Sequence, residues 1–168
     1  MSSIDRIDRK ILDRLQRDGR ISMTELAQQV GLSTSPCAER VRRLERSGVI
    51  QGYHARVNPE ALGRGLLVFV ELTLSSKSAE VFRQVRNELL LEPRVLECHL
   101  VSGTFDYLVK ARLSAMREYR DLLGQILRKM PVPAQSNSYV VMEEIKEGLA
   151  LPVDAPPASS TPSGSVRE

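Results

Sequence analysis

Residues 66–145 alternate between strand-like and helix-like patterns, and the order of these patterns constrains the fold more than any other feature of the chain. The first stretch is an apolar run with β-branched and aromatic residues, which favours a strand. Two longer stretches repeat apolar residues at helical spacing. The predicted elements are, in order, a strand over Leu66–Leu74, a helix over Ser78–Leu91, strands over Arg94–Val101 and Phe105–Leu113, a helix over Ala115–Met130 and a strand over Ser136–Ile145.

The order β-α-β-β-α-β is that of a ferredoxin-like, split βαβ unit of the α+β class. Such a unit has an antiparallel sheet with both helices on one face. The other face must be solvated or covered by a partner, because the helices of the unit reach only one side of the sheet. We therefore predict that the chain self-associates, at least as a homodimer, through this open face.

The first third of the chain predicts three short helices with clear start and stop signals. Ser22 and Glu25 can cap each other's free amides at the start of the second helix, and Gly31 supplies the left-handed residue that closes it. Pro36 is tolerated in the first turn of the third helix because amides there have no helical partner. The remaining signals are Asp18-Gly19 after the first helix, Ser33-Thr34-Ser35 before the third and Ser47-Gly48 after it.

A domain boundary is predicted where Pro and Gly cluster. Residues 1–57 form a helix-turn-helix domain with a linking strand, 58–65 a linker, 66–149 the ferredoxin-like domain and 150–168 a disordered tail rich in Pro, Ala and Ser. Residues 49–57 are moderately strand-like and could form a wing or an interdomain strand.

Positive charge is concentrated in the first third of the chain. Residues 1–57 hold eleven Lys or Arg against seven Asp or Glu, a surplus of +4, whereas residues 58–149 hold twelve of each and the remainder one against two. Most of these basic residues are arginines, and a guanidinium group is suited to bonding both DNA phosphates and the edges of DNA bases. A solvated helix face would produce the same count, so charge alone does not decide between the two.

The second and third helices, joined by Gly31-Leu32-Ser33, have the turn length of a helix-turn-helix. If Cys37, Val41 and Leu44 face inward, hydroxyls and arginines face outward toward the major groove of duplex DNA. The alternative is a three-helix bundle with a basic surface, and an inward position of Arg40 and Arg43 would count against DNA reading. The predicted DNA-contacting residues are Ser33, Thr34, Ser35, Pro36, Glu39, Arg40, Arg42, Arg43 and Arg46, with Arg42 and Arg46 on phosphates.

Long stretches of the chain resemble the Lrp/AsnC family of transcription regulators. They are LDRLQRDGRIS and GLSTSPCAERVRRLERSGVIQGY between Leu12 and Tyr53, LLVFVELTL at 66–74, ECHLVSGTFDYLVK at 97–110 and YVVMEEIK at 139–146. The resemblance covers about residues 4–147. It implies a helix-turn-helix, a linking strand and a βαββαβ effector domain, with dimers that assemble further, often into octamers, and wrap or bend DNA. It also implies that a small amino acid binds between effector domains.

The predicted effector site is the loop where the second and third strands of the sheet meet. Gly103 allows close approach to a ligand, exposed amides can take an α-carboxylate, and Asp106 can pair with an α-ammonium. A hairpin turn with a capping Asp would have the same sequence pattern. It is the resemblance to the Lrp/AsnC family that identifies this loop with the family's ligand-binding loop. The loop residues assigned to the site are Ser102, Gly103, Thr104, Phe105, Asp106 and Tyr107.

Further positions correspond, by the same resemblance, to those tied to the leucine response: Leu100, Met116, Tyr139, Val140 and Val141. From the pattern alone each would be assigned to the core, and Val140 or Val141 could still belong there. The chain departs from the family just before its last strand, over residues 131–138, and Ser136 in this stretch is also assigned to the effector site. The effector could therefore be leucine, alanine or another small apolar amino acid.

Two other classes of function compete with this interpretation. For an enzyme, the chain offers no nucleophile elbow, phosphate loop or zinc pattern, and adjacent Cys98 and His99 would point to opposite faces of a strand, so no metal or cofactor is predicted. A DNA-compacting protein with no small-molecule response would share the helix-turn-helix. Only the Gly103–Asp106 loop argues against it.

The sequence predicts a cytoplasmic protein with no membrane partner. No apolar run reaches the roughly 18 residues of a membrane helix, and the N-terminus lacks the apolar stretch of a signal peptide. The two cysteines, Cys37 and Cys98, lie in segments of regular structure, and two free thiols suit a reducing compartment.

Overall fold

The computed structural model describes residues 4–153 and divides the chain into two compact units. Within the described residues, unit 1 comprises residues 4–55 together with 146–153, and unit 2 comprises residues 56–145. The sequence analysis placed the boundary after residue 57, and unit 2 begins at residue 56. The chain returns to unit 1 after residue 145, which the sequence did not predict.

Unit 1 contains three helices, α1 (Arg6–Arg17), α2 (Met23–Val30) and α3 (Thr34–Arg46). Gly31 ends α2 with a φ of 76°, in the left-handed region that glycine adopts most readily. Of the predicted capping box on α2 only half is present, since the Ser22 hydroxyl accepts from the Glu25 amide. The buried side chains at the centre of unit 1 are Ile11, Leu26, Ala27, Val30, Cys37, Val41 and Leu44.

Unit 2 contains a four-stranded antiparallel sheet and two helices in the predicted order. Its elements are β1 (Leu66–Leu74), α4 (Ala79–Leu90), β2 (Val95–Leu100), β3 (Tyr107–Leu113), α5 (Met116–Lys129) and β4 (Ala134–Val140), with a short 3-10 turn at Glu60–Leu62. The strands lie in the order β2-β3-β1-β4. Alternate residues of β1 and β3 are buried, because one face of the sheet packs against α4 and α5.

Three predicted segments differ in the structure. Residues 49–57 form no strand within the chain: the amides of Val49 and Ile50 both donate to the Leu44 carbonyl of α3, and no strand of the sheet pairs with the segment. The last strand ends at Val140 instead of Ile145, since β4 pairs with β1 only as far as Val68. Of the predicted disordered tail, residues 150–153 are described, and the carbonyls of Leu151 and Val153 accept hydrogen bonds from Gln16 and Arg9 of α1. The rest of that prediction lies outside the described residues.

Two further features concern residues 4–153: whether a helix there could cross a membrane, and whether side chains there could bind a metal ion. None of the helices there combines the length and the apolar character that crossing a bilayer requires. Within the same residues, no three His, Cys, Asp or Glu side chains are grouped as metal ligands. Cys37 is a buried free thiol whose pKa is raised by burial, and Cys98 is an exposed one.

Candidate DNA interface and ligand site

Helix α3 presents its first turn to solvent. Ser33 precedes the helix and its hydroxyl does not cap it, and Thr34, Ser35 and Pro36 are all exposed. The first amides of a helix have no helical acceptors, and the helix dipole makes this end positive. Hydroxyls and amides at the start of a helix can therefore bind phosphate oxygens or base edges, and the predicted DNA contacts of these residues stay a prediction.

The solvent-facing side of α3 also carries Glu39, Arg42 and Arg46, all exposed. Nη2 of Arg46 lies 2.9 Å from a Glu39 carboxylate oxygen, and Nη1 of Arg42 lies 3.7 Å from the other oxygen. Exposed ion pairs of this kind contribute only about 0–1 kcal/mol. DNA phosphates can therefore replace Glu39 as the partner of both arginines at little cost.

Arg40 and Arg43 are only partly exposed, 28% and 40% by their side chains, and both bond to α1, whereas the sequence analysis placed them fully outward. Nη1 of Arg40 lies 2.9 Å from Oδ1 of Asp8, and Nη2 of Arg43 lies 2.6 Å from both Asp8 oxygens. The helical geometry explains the difference for Arg40, which at about 100° per residue lies only about 60° around α3 from buried Cys37. Both arginines therefore link α3 to α1, and their contact with DNA stays a prediction.

The acceptor for both arginines is a carboxylate that the sequence analysis missed. Asp8 is 1% exposed, and it also accepts the amide of Asp5, whose own carboxylate accepts the amides of Ile7 and Asp8. This is a capping box at the start of α1. The spacing Asp5-x-x-Asp8 just before an apolar helical pattern is the signal that could have revealed it.

Asp5 also takes part in the contact between α1 and α3. Nη1 of Arg40 lies 2.5 Å from Oδ2 of Asp5. The Asp8 amide and the Arg40 guanidinium hold the pKa of Asp5 at about 2, below its ordinary value of 3.8. The N-terminal cap of α1 is therefore ionised at neutral pH and bonded to α3.

The predicted ligand loop connects β2 to β3 and lies open to solvent over Ser102–Thr104. Gly103 has a φ of 157°, and a Cβ there would meet no atom within 4 Å. Phe105 is half-buried, whereas Tyr107 is buried, with its ring edge-on to Phe82 and its hydroxyl donating to the Phe82 carbonyl. The exposed part of the loop can therefore meet a ligand, but Tyr107 packs in the core of unit 2.

Asp106 is buried at the end of the loop, and both of its carboxylate oxygens already have partners. Oδ2 accepts the Leu74 amide at 2.8 Å, and Oδ1 pairs with Nζ of Lys77 at 2.8 Å. Burial alone would raise the pKa of Asp106, but the bonds from Lys77 and the Leu74 amide outweigh it and lower the pKa. An α-ammonium that binds Oδ1 would compete with Lys77, a residue that the sequence analysis did not identify.

The apolar residues at the positions tied to the leucine response are largely outside the core. Leu100, Met116, Tyr139 and Val140 are each between 43% and 59% exposed. Only Val141 is half-buried, and its amide donates to the carbonyl of Leu67. The alternative assignment of Val140 to the core is therefore wrong, and these four residues are available for contact with a ligand or another subunit.

The sheet register places the predicted ligand residues in two groups. Tyr107 and Ser136 both lie opposite Leu72, and Leu100 lies opposite Tyr107. Val140 lies opposite Val68, four residues before Leu72 in β1, which at ~3.3 Å per residue is ~13 Å away. Met116 belongs to the second group, since it follows the end of β3, where Leu113 lies opposite Leu66. One chain therefore does not bring the two groups together around one small ligand.

Both units match described families of domains. Residues 4–51 match the winged helix-turn-helix DNA-binding family, and residues 67–151 match the Lrp/AsnC ligand binding domain. The chain is 53% identical over 148 residues to the leucine-responsive regulatory protein of Escherichia coli, covering 88% of this chain and 90% of that protein. The protein of the same name from Klebsiella pneumoniae has the same identity and coverage.

Solved structures give the same result. A transcriptional regulator from Neisseria meningitidis in complex with L-methionine superposes with a TM-score of 0.85 at 31% identity, covering 90% of this chain and 98% of that one. The leucine response regulatory protein of Mycobacterium tuberculosis superposes with a TM-score of 0.73 at 36% identity, covering 85% and 95%. The fold and both domains are thus shared with proteins that regulate transcription.

Proposed function

The chain belongs to the Lrp/AsnC family of DNA-binding transcription regulators with an amino-acid ligand-binding domain, and from this premise we propose how its own residues perform the two tasks. Members of this family are regulators and not enzymes. The observation that carries the proposal for DNA is the exposed first turn of α3, Ser33–Pro36, with Arg42 and Arg46 on the same helix. The hydroxyls and first amides of α3 meet base edges and phosphates, and the two arginines bind flanking phosphates.

The proposed unit of recognition is a homodimer. The face of the sheet opposite α4 and α5 carries Phe69 and Tyr139 on neighbouring strands, with Leu108 one strand further along. A second copy of the chain would cover this face with the same residues, as an isologous interface requires. A dimer whose two α3 helices lie ~34 Å apart reads a pseudo-palindromic site.

Further assembly, toward the octamer common in the family, accounts for the exposed apolar residues. Leu100, Met116 and Val140 lie at two ends of the sheet and are not covered within unit 2. Contacts between dimers would bring together the two groups of predicted ligand residues, one group from each of two chains. A small amino acid bound there would favour one assembly over another, and assemblies differ in the spacing of their DNA-binding helices. A coupling of ~1–3 kcal/mol is enough to change occupancy several-fold.

The proposed effector is a small apolar amino acid, with leucine, alanine and methionine as the candidates. Leucine appears in the names of the relatives, and the Neisseria regulator is in complex with L-methionine. Residues 131–138 comprise the short connection after α5 and the first part of β4, and their sequence would tune the choice among these side chains. The proposed location of the protein is the cytoplasm.

The test is the molecular mass of the full chain in solution, by sedimentation, alone and with L-leucine, L-alanine or L-methionine, repeated with a DNA fragment selected by the protein. We expect an assembly larger than a monomer and a change in its mass or DNA stoichiometry with at least one of these amino acids. A monomer, or an assembly that no amino acid alters and that binds DNA tightly, would contradict the proposal. The second result would indicate a DNA-compacting protein.

A further inference from the structure

The ion pair between Lys77 and Asp106 lies at the base of the predicted ligand loop. Nζ of Lys77 is 2.8 Å from Oδ1 of Asp106, and the Lys77 side chain is 53% exposed while that of Asp106 is almost fully buried. Lys77 therefore lies between solvent and the one carboxylate oxygen that the backbone does not engage.

The two members of the pair differ in how firmly the fold holds them. Asp106 is fixed at three points, since its amide donates to the Leu72 carbonyl, its carbonyl accepts from the Val101 amide and its Oδ2 accepts from the Leu74 amide. Lys77 lies in the short connection between β1 and α4 and is joined to Asp106 through its terminal ammonium. The pair thus consists of a fixed anion and a cation on a flexible side chain.

We propose that the effector enters by opening this pair, with its α-ammonium replacing Lys77 on Oδ1 of Asp106 and its α-carboxylate binding the displaced ammonium of Lys77. This inference rests on the proposed function, in which an amino acid is the ligand. It assigns Lys77 as the partner of the carboxylate and therefore as a residue that determines the ligand class.

Charge balance supports a zwitterion over other amines. The closed pair is neutral, and insertion of a zwitterion leaves one ammonium beside each carboxylate. An amine without a carboxylate would displace Lys77 and leave its charge without an anion. An exchange of one ammonium for another keeps the buried Asp106 carboxylate paired throughout, so it avoids the cost of leaving a buried charge without a partner.

The test compares the affinity of the full chain for L-methionine and L-methioninamide by calorimetry. The amide keeps the ammonium and the side chain but lacks the carboxylate. We expect the wild type to bind methionine about tenfold or more tightly than the amide, since a charge-assisted bond is at stake. Lys77→Gln should remove most of this preference for methionine over the amide. The substitution deletes the ammonium that would bind the α-carboxylate of methionine, and it also deletes the ammonium with which both ligands compete for Asp106. Lys77→Arg should keep the preference.

Two controls separate this inference from a general loss of structure. Lys129→Gln removes another half-exposed lysine, paired with Glu88 near the far end of α4, and should keep the wild-type ratio. Asp106→Asn retains an acceptor for the Leu74 amide but loses the charge, and should weaken binding of both ligands. Lys77→Arg and Lys129→Gln should unfold at temperatures close to that of the wild type, and the affinities of Lys77→Gln and Asp106→Asn are measured at a temperature at which circular dichroism shows both variants to be folded.

The outcomes are distinguishable. If wild type binds methionine, but Lys77→Gln discriminates against the amide as strongly as wild type does, the role of Lys77 is refuted and the amino-acid sensor stands. If the wild type binds neither methionine, leucine nor alanine, the proposed function itself fails. A wild type that binds methionine and its amide equally well would also overturn the role of Lys77.

Discussion

Nη2 of Arg43 lies 2.6 Å from both carboxylate oxygens of Asp8, a residue of α1 that is 1% exposed. This ion pair joins α3, the helix proposed to enter the major groove of DNA, to α1. Arg40 bonds the same carboxylate one turn earlier on α3. The orientation of α3 within unit 1 is therefore held by a buried carboxylate together with the apolar core of that unit.

Arg43→Ala should lower the free energy of unfolding of unit 1 by about 1–3 kcal/mol, because it leaves a buried carboxylate with fewer donors. Arg42→Ala is the matched control: it removes the neighbouring arginine, which is exposed, and should change stability by less than about 0.5 kcal/mol. Urea unfolding of the full chain, followed by the helical signal in circular dichroism, measures both. Equal effects of the two substitutions would show that Arg43 is not held as described.

DNA binding should reverse the order of these two variants. Arg42→Ala removes a proposed phosphate contact, so it should weaken binding to every duplex alike and reduce the slope of log affinity against log salt by about 1. Arg43→Ala, assayed where it is fully folded, should leave that slope unchanged but lower the preference for the target over a scrambled duplex. Titrations at several salt concentrations measure both quantities. A reduced slope in Arg43→Ala would mean that this arginine contacts phosphate after all.

Acid should weaken the contact between Asp5 and Arg40. Because the folded pKa of Asp5, about 2, is below its ordinary value of 3.8, ionised Asp5 stabilises the fold fully above pH 3.8, and this contribution disappears as the pH falls to about 2. Asp5→Asn keeps a capping side chain but has no charge to lose. We expect this variant to be less stable than the wild type at pH 6, with the difference vanishing near pH 2. A difference that is constant over this range would contradict the assignment.

The open face of the sheet should hold the dimer together. Phe69→Lys places a charge on this face next to Tyr139, and should shift the protein toward monomers by sedimentation, since the partner would have to bury that charge. Leu90→Lys is the matched control, because Leu90 lies on α4 and is 72% exposed. It should leave the assembly unchanged. Dissociation by the control alone would place the interface on the helical side.

The sequence predicted local patterns well because they depend on short-range periodicity. The bounds of β1 and the left-handed Gly31 were predicted as observed, and the inward stripe of Cys37, Val41 and Leu44 is buried. The open face of the sheet followed from the order of elements alone. These features need no knowledge of which residues distant in the chain meet.

Pairs between charged residues far apart in the chain could not be predicted in the same way. Asp8 and Arg43 are 35 residues apart, and hydropathy patterns assign both to solvent. Lys77 was missed for the same reason, since it lies in a connection with no pattern and its partner Asp106 is in another loop. In both cases a carboxylate is buried because cations and amides satisfy it, which only the tertiary structure reveals.

The most direct test of the central claim, that the exposed surface of α3 reads DNA sequence, is the ratio of dissociation constants for a genomic fragment selected by the protein and a scrambled duplex of the same composition at one fixed salt concentration. We expect a ratio of at least about 10³ in favour of the selected fragment, reduced when Ser35 and Arg46 are both replaced by Ala. A ratio near one for the folded wild-type protein would contradict the assignment of α3 as the reading helix.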